Sequence, residues 1–195
     1  GLMGQDGQEI NATLAAGLIN KRNCYQQGVF QLTEKEQVLS FANVNEEPVP
    51  SLLRDFSAPV KLNYEYSRDQ LLFLMKYDND GFNRWDAGQK LALDVIYQVM
   101  REQGEGKAPQ VDSRLIEAYR SLLKRDDLDY AMLAKMLMLP SISYIAETQT
   151  EIDVHAINKA RTYVQTVLAN AIAPELADLY ARLNTTQGYL PEPTQ

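Results

Sequence analysis

The sequence predicts an α+β protein whose β part comes first and whose all-α part follows. Before Tyr66 the apolar residues form short runs separated by turn residues, as in antiparallel strands. After Tyr66 they recur every three or four positions, which is the spacing of one face of a helix. Because strands and helices are segregated along the chain, we expect two parts, residues 1–66 and residues 67–195.

The β part begins with a predicted hairpin. Residues 4–7 read GQDG, and Asp-Gly favours the positive φ angles of a tight turn. Leu2 and Met3 should therefore end one strand, and residues 8–10 should begin the next. Two more strands are expected from the apolar runs at residues 29–32 and 38–41, with a turn at residues 33–35.

The end of the β part carries the clearest two-residue period in the chain. Four apolar or aromatic residues alternate with polar ones and predict a strand with one buried face, namely Val60, Leu62, Tyr64 and Tyr66. Pro48 and Pro50 flank Val49. This arrangement favours an edge strand or a connection, because proline cannot donate a ladder hydrogen bond.

The all-α part begins at a predicted capping box. Ser67 and Gln70 have the spacing at which two side chains satisfy free N–H groups at the start of a helix. A longer helix is expected over residues 83–101, followed by a loop at residues 103–110. Later helices are expected to begin at polar caps, which are Asp112 or Ser113, then Asp127, Ser141 and Asp153.

The last long helix contains a proline. Its apolar stripe includes Ile157 and Val164 and resumes at Leu176, beyond Pro174. Proline cannot donate a hydrogen bond to the carbonyl of Asn170, so we expect the helix to break or bend there. Consecutive amphipathic helices with short loops favour antiparallel neighbours, so the all-α part should form a bundle or an irregular α-solenoid.

Composition excludes several classes of protein. The chain has 195 residues, is 45% hydrophobic and carries a formal net charge of −7, and this acidic balance argues against a nucleic-acid partner. No apolar run approaches the roughly 18 residues of a membrane span, so we expect no membrane partner. Cys24 is the single cysteine and His155 the single histidine. They exclude an intrachain disulfide and a zinc site of two His and one Glu.

Short acidic motifs are the first candidates for a functional site. Residues 78–81 read DNDG and resemble half of a calcium loop, but Lys76 and Ala87 would occupy the positions of the anchoring carboxylates. We therefore favour a turn with an Asp or Asn cap for the next helix. The acidic pairs Glu46-Glu47 and Asp126-Asp127 are interpreted as a solvated loop and a helix start.

The remaining candidates are a histidine, a thiol and three methionines. His155 could be a general base or a ligand, but an exposed residue in a helix first turn is the simpler interpretation. Cys24 follows Lys21 and Arg22, which could lower a thiol pKa. With its only histidine far along the chain, we favour a free structural thiol. Core packing is favoured over a soft-metal site or peptide groove for Met132, Met136 and Met138.

Two long strings resemble the bacterial aminopeptidase N family, the large zinc-dependent gluzincin aminopeptidases. Residues 48–62 read PVPSLLRDFSAPVKL, and residues 82–89 read FNRWDAGQ, which is similar to the family run FNRW-[DE]-A-x-Q. The strings LFLM at residues 72–75 and LPS at residues 139–141 fit the same order. The resemblance covers nearly the whole chain.

This resemblance implies a fold and a place in a larger enzyme. The family has four domains, and residues 1–66 resemble the back portion of its β-sandwich, while residues 67–195 resemble the opening helices of its C-terminal helical domain. The family's HExxH zinc motif and GAMEN motif do not occur here. The resemblance therefore assigns no catalytic, cofactor-binding or metal-ligating residue to this chain. It implies zinc in the parent enzyme, and we expect this segment to be inactive alone.

The function implied by the resemblance is that of a non-catalytic fragment. It would link and enclose the active-site cavity of an aminopeptidase and limit access to small peptides. Its partners would be the missing catalytic domain of the same polypeptide and, for the parent, small peptide substrates. The resemblance and the lone cysteine together imply a cytoplasmic protein.

Three further hypotheses stay open at this point. The chain could be an independent helical interaction module that shares ancestry with the peptidase, or a cysteine enzyme that uses Cys24. Only about five strands can be counted in residues 1–66, fewer than the roughly seven of an immunoglobulin-type sandwich. We therefore expect an unpaired edge that promotes self-association through residues 1–66.

Overall fold

The structure, a computed structural model, describes residues 1–14, 25–26, 29–30, 32, 34–125 and 129–184. The chain divides into two compact units, Gly1–Glu65 and Tyr66–Gln195, which we call the β unit and the helical unit. Short antiparallel strands occupy the first and helices the second. The predicted α+β class is confirmed.

The strands of the β unit pair in a nested order. The outermost pair joins β1 (Leu2–Met3) to β6 (Val49–Pro50) in antiparallel register, with Leu2 opposite Pro50 and Met3 opposite Val49. The next pair joins β2 (Thr13–Leu14) to β5 (Phe41–Ala42). The innermost pair joins β3 (Tyr25–Gln26) to β4 (Val29–Phe30). Each strand has one neighbour within the described residues, so the predicted edge position of Val49 is confirmed.

The predicted turn at residues 4–7 is confirmed. The Gly7 N–H donates to the Gly4 carbonyl over 2.9 Å, and Gly7 has a φ of 80°, a conformation that glycine adopts without a Cβ clash. The Asp6 Oδ1 accepts the Gln8 N–H over 2.9 Å. An antiparallel bridge between Met3 and Glu9 closes the hairpin.

Several strand predictions are wrong in extent or existence. Val38 is 78% exposed and precedes β5, which begins at Phe41, while β4 ends at Phe30, before Leu32. Residues 60–66 form no strand despite their two-residue period. The Val60 N–H instead donates to the Ala58 carbonyl over 2.9 Å. An alternating pattern yields a strand only where a neighbour completes the ladder, and no described segment pairs with residues 60–66.

The first two helices form from the capping signals of the sequence. In α1 (Arg68–Tyr77) the Ser67 Oγ accepts the Gln70 N–H and the Gln70 Oε1 accepts the Ser67 N–H, so the predicted capping box is confirmed. Helix α2 (Gly81–Gly104) begins earlier than predicted because the Asp80 Oδ1 accepts the Asn83 N–H over 2.8 Å. It also continues past Arg101 to Gly104.

Three shorter helices follow, α3 (Ser113–Leu123), α4 (Tyr130–Leu137) and α5 (Ile142–Glu147). Asp112 caps α3 through the Arg114 N–H, and Ser141 caps α5 through the Tyr144 N–H, as expected. Both caps satisfy an N–H group that has no partner within the helix.

The cap of α4 is Asp129 rather than the predicted Asp127. Asp127 lies outside the described residues, and the Asp129 Oδ1 accepts the N–H groups of Ala131 and Met132 over 2.8 and 3.0 Å. Several acidic residues stand together at this helix start. Sequence alone does not say which of them keeps an extended backbone and so becomes the cap.

The last helix, α6 (Val154–Leu183), is capped by Asp153, whose Oδ1 accepts the Ala156 N–H over 2.9 Å. The expected break at Pro174 is wrong, because α6 continues through it. Arg120 of α3 donates Nη2 to the Ala171 carbonyl over 2.8 Å and Nε to the Glu175 Oε1 over 2.6 Å. The Ala171 carbonyl is one residue beyond that of Asn170, which Pro174 leaves without its helical N–H donor. A bend of the axis stays a prediction.

The core of the helical unit is built around α2 and α6. Helix α6 contacts α2, α3 and α5, while α1 packs against α2 and α3. The largest fully buried side chains of this unit are Met75, Leu91, Val95, Ile96, Val99, Leu115, Tyr119, Leu122, Ile145, Ile157 and Val164. Over the described part of the chain, no helix has the length and apolar character needed to cross a bilayer.

Candidate functional site

The DNDG motif is the turn between α1 and α2. Asp80 caps α2, and its own N–H donates to the Asp78 Oδ1 over 2.9 Å. Asp78 is buried, at 1% exposure. Both carboxylates therefore bind backbone N–H groups, and the cap interpretation is confirmed.

The histidine and the acidic loop lie on the surface. His155 is exposed in the first turn of α6, as expected. Glu46 and Glu47 are also exposed, and the Glu46 Oε1 accepts the Gln5 N–H over 3.2 Å. Cys24 and the pair Asp126-Asp127 lie outside the described residues.

The methionines divide between core and surface. Met136 is buried on α4 beside Leu133, and Met132 is half-buried, so core packing is confirmed there. Met138 is 58% exposed, and the core interpretation is wrong for it. Helix α4 ends at Leu137, so Met138 no longer lies on the helix face that the spacing predicted.

No metal-binding arrangement occurs within the described ranges: no group of three or more His, Cys, Asp or Glu side chains is placed to hold an ion. Because Cys24 is outside those ranges, the absence of a metal site stays a prediction for the chain as a whole. The same is true of the expectation that the chain has no catalytic residue.

An ion-pair network joins the first three helices. Arg68 of α1 donates to Asp94 and Gln98 of α2 and to Asp112 at the start of α3, the last two over 2.9 and 3.2 Å. Arg114 donates to the Asp112 Oδ2 over 2.8 Å. The Arg114 guanidinium and backbone N–H, with help from Arg68, lower the pKa of Asp112 to about 2. The cap of α3 therefore stays ionised at neutral pH.

A buried hydroxyl lies on α3. Tyr119 is 2% exposed, and its hydroxyl has no hydrogen-bond partner among the described residues. Burial raises the pKa of Tyr119 above its usual range because the phenolate would lose its hydration. The Tyr119 hydroxyl therefore keeps its proton and stays neutral at neutral pH.

A cleft of about 370 Å³ opens between the last turns of α2 and the segment that joins α5 to α6. We call it the Arg101 cleft, and its lining residues are Tyr97, Met100, Arg101, Thr148, Gln149, Thr150 and Glu151. The Tyr97 hydroxyl contacts the Thr148 hydroxyl, and the Gln149 Nε2 lies 3.9 Å from the Met100 Sδ. These contacts fix the two walls to each other.

Sequence reasoning did not find the Arg101 cleft. Arg101 and Glu151 are far apart in the sequence, and neither belongs to a motif. Only the packing of α5 and α6 against α2 brings the two walls together. A single sequence holds no signal for such a pair, because neither residue type is unusual at its own position.

The fold and sequence define the class of protein. Residues 1–65 match the family described as a domain of unknown function (DUF3458) with an Ig-like fold, and residues 68–195 match its companion (DUF3458_C), described as ARM repeats. The chain belongs to this two-part family. The Ig-like and helical assignments agree with the predicted sandwich and solenoid.

The particular relatives are bacterial aminopeptidases. Aminopeptidase N of Escherichia coli is 38% identical over 152 residues, which are 78% of this chain and 18% of that protein. Aminopeptidase N of Haemophilus influenzae is 36% identical over 162 residues, covering 82% and 18%. This chain is therefore homologous to part of bacterial aminopeptidase N, as the resemblance implied, and spans less than a fifth of those relatives.

A solved structure also supports the relationship to bacterial aminopeptidases. Legionella pneumophila aminopeptidase A, determined in complex with aspartic acid, matches with a TM-score of 0.65 and 32% identity over 78% of this chain and 17% of that one. At this identity the likeness extends beyond the general fold to common ancestry.

Proposed function

We propose that this chain is a non-catalytic segment of a zinc-dependent aminopeptidase that removes N-terminal residues from peptides. The observation that carries the proposal is the 38% identity to a protein of which the aligned stretch is only 18%. The HExxH and GAMEN motifs are absent from this sequence. The zinc and the catalytic residues are therefore assigned to other parts of the parent polypeptide.

In the parent, the segment would link and enclose the active-site cavity and limit entry to small peptides. The described part of the β unit has short paired strands and few buried apolar side chains, which suits a connecting part. The helical unit has a continuous core and an ion-pair network across three helices, which suits a rigid wall. We further propose a cytoplasmic location, on the basis of the family resemblance and the lone cysteine.

A chimeric enzyme tests this role. The homologous stretch of Escherichia coli aminopeptidase N is replaced by this chain, and kcat/KM is measured for a series of peptides from dipeptides to long unstructured peptides. The intact enzyme is the control. We expect the chimera to bind zinc, to show the same dependence of kcat/KM on peptide length as the control, and to favour short peptides, because the proposed wall that excludes long substrates is restored.

Two results would contradict the proposal. A folded, zinc-loaded chimera that cleaves long peptides as fast as short ones would remove the enclosing role. A chimera that fails to assemble, although this chain folds alone, would favour an independent interaction module.

A further inference from the structure

The Arg101 cleft is open to solvent and has the volume of a small-molecule site. Its volume of about 370 Å³ lies within the roughly 300–1,000 Å³ typical of such sites. One wall is a helix of the core, since α2 buries Val95, Ile96 and Val99 immediately beside Tyr97 and Met100. The site is therefore carried by a rigid element, which favours binding with little reorganisation.

The two charged residues of the cleft have unused binding capacity. Within the described residues, neither Arg101 nor Glu151 makes a hydrogen bond or an ion pair within 4.0 Å, and they do not pair with each other. Arg101 acts on the adjacent Glu102 only through space, as a minor contribution to its lowered pKa. By contrast, Arg68 and Arg120 of the same unit each bind two or more groups.

The chemistry of the lining selects one class of ligand. A guanidinium binds a carboxylate through two parallel hydrogen bonds, and the Glu151 carboxylate is suited to an ammonium group. A simple anion would be repelled by Glu151, and a simple cation by Arg101. The Tyr97 ring and Met100 side chain offer an apolar wall. A zwitterion with an apolar side chain satisfies all three features.

We propose that the Arg101 cleft binds the free amino acid or short peptide zwitterion. Arg101 holds the α-carboxylate, Glu151 holds the α-ammonium group, and Tyr97 and Met100 contact the side chain. The proposal rests on these residues alone, so it does not depend on the role proposed above for the chain in an aminopeptidase.

The test is an NMR titration of the 195-residue chain with the dipeptide Leu-Ala. Parallel titrations use N-acetyl-Leu-Ala, Leu-Ala-amide and free leucine, so that the two ends and the two ligand sources are separated. We expect saturable shifts at Thr148, Gln149, Thr150 and Glu151. Blocking either end should weaken binding by about tenfold or more, because a hydrogen bond between charged groups is lost.

Variants of the cleft residues test which side chain binds each end of the dipeptide. Arg101→Gln should bind Leu-Ala and Leu-Ala-amide equally weakly, and Glu151→Gln should bind Leu-Ala and its N-acetyl form equally weakly. Arg182→Gln is the matched control, since Arg182 is an exposed helical arginine that does not line the cleft. It should bind like the unmodified chain. Both cleft side chains are exposed, so neither variant should disturb folding, which circular dichroism verifies.

Three outcomes overturn the proposal. One is the absence of saturable shifts in the cleft with either leucine or Leu-Ala. Another is equal binding of the free and the end-blocked dipeptides. The third is an Arg101→Gln variant that binds as tightly as Arg182→Gln. Tighter binding of leucine than of Leu-Ala would instead identify the free amino acid as the ligand, within the same proposal.

Discussion

The Asp112 carboxylate has three structural roles. It caps α3, accepts from Arg114 and accepts from Arg68 of α1. Its pKa is lowered from 3.8 to about 2, first by the Arg114 side chain and then by the Arg114 N–H and Arg68. A lowered pKa means that the ionised form stabilises the fold above the ordinary pKa. That stabilisation is lost as the pH falls toward the folded-state value.

Asp112→Asn should isolate this effect, because asparagine keeps the cap but cannot ionise. Between about pH 4 and pH 2, urea unfolding should show that the unmodified chain loses about 1 kcal/mol more stability than the variant, after allowance for solvent screening. Asp69→Asn is the control: it also pairs with Arg114 but is 79% exposed, so its pH dependence should match the unmodified chain. Parallel pH profiles for the chain and Asp112→Asn would contradict this account.

Unlike the Asp112 carboxylate, the Tyr119 hydroxyl is a buried polar group with no hydrogen-bond partner among the described residues. Tyr119→Phe removes an unsatisfied hydroxyl and should raise the free energy of unfolding by about 1 kcal/mol. Tyr163→Phe is the matched control, since the Tyr163 hydroxyl donates to the Pro109 carbonyl over 2.7 Å. That variant should lose about 1 kcal/mol. If Tyr119→Phe is the more destabilising of the two, the hydroxyl has a partner.

At the scale of elements, α3 and α6 are linked within the turn of α6 that contains its proline. The Ala171 carbonyl, near the site where proline disrupts the ladder, accepts from Arg120. The Glu175 pKa is lowered first by its own backbone N–H and then by Arg120. The two helices are locked together at the point where α6 is intrinsically weakest.

Arg120→Gln should lower the free energy of unfolding, because a carbonyl and a carboxylate lose a charged donor. In a Pro174→Ala background the same change should cost less, since the repaired helix needs no outside donor for its carbonyls. Urea unfolding of the two single variants and the double variant gives this coupling. An Arg120→Gln cost that is unchanged by Pro174→Ala would show that the proline and the arginine act independently.

Structural elements that depend on adjacent residues could be predicted from the sequence. Elements that depend on residues distant in the sequence could not. The Ser67–Gln70 capping box and the Asp153 cap follow from adjacent residues, so their positions were predicted correctly. The strand predicted at residues 60–66 required a neighbour, and the pattern could not supply one. Helix α6 continues through Pro174, and Arg120, which binds the Ala171 carbonyl in that turn, lies 51 residues away in the sequence. The Arg101 cleft was not predicted, because its two walls also come from segments that are distant in the sequence.

At the scale of the whole molecule, the two units differ in how much they bury. Among the side chains of the β unit whose exposure the structure describes, Met3 is the one that is apolar and fully buried. Every helix of the helical unit has buried residues. Local opening is cheaper where few apolar contacts must be broken. The strand pairs, each two residues long, add few ladder hydrogen bonds.

Amide protection from hydrogen exchange should therefore be weak before about Glu65 and strong after it. We expect weak amide protection at Leu2 and Met3 and strong protection around Ile96 and Val164. We also expect self-association through the β unit at high concentration, because each strand has a single neighbour within the described residues. Sedimentation velocity measures the association. Uniform protection in a strictly monomeric chain would contradict this account and favour the independent-module hypothesis.

The central claim is that this chain belongs to an aminopeptidase without holding its catalytic site. The most direct test combines zinc content by elemental analysis with turnover of an amino-acid arylamide by the purified 195-residue chain. With one histidine and no HExxH motif in the sequence, the chain cannot supply the usual three protein ligands of a catalytic zinc. We expect substoichiometric zinc and no turnover above the buffer rate. Stoichiometric zinc with turnover that a chelator abolishes would contradict it.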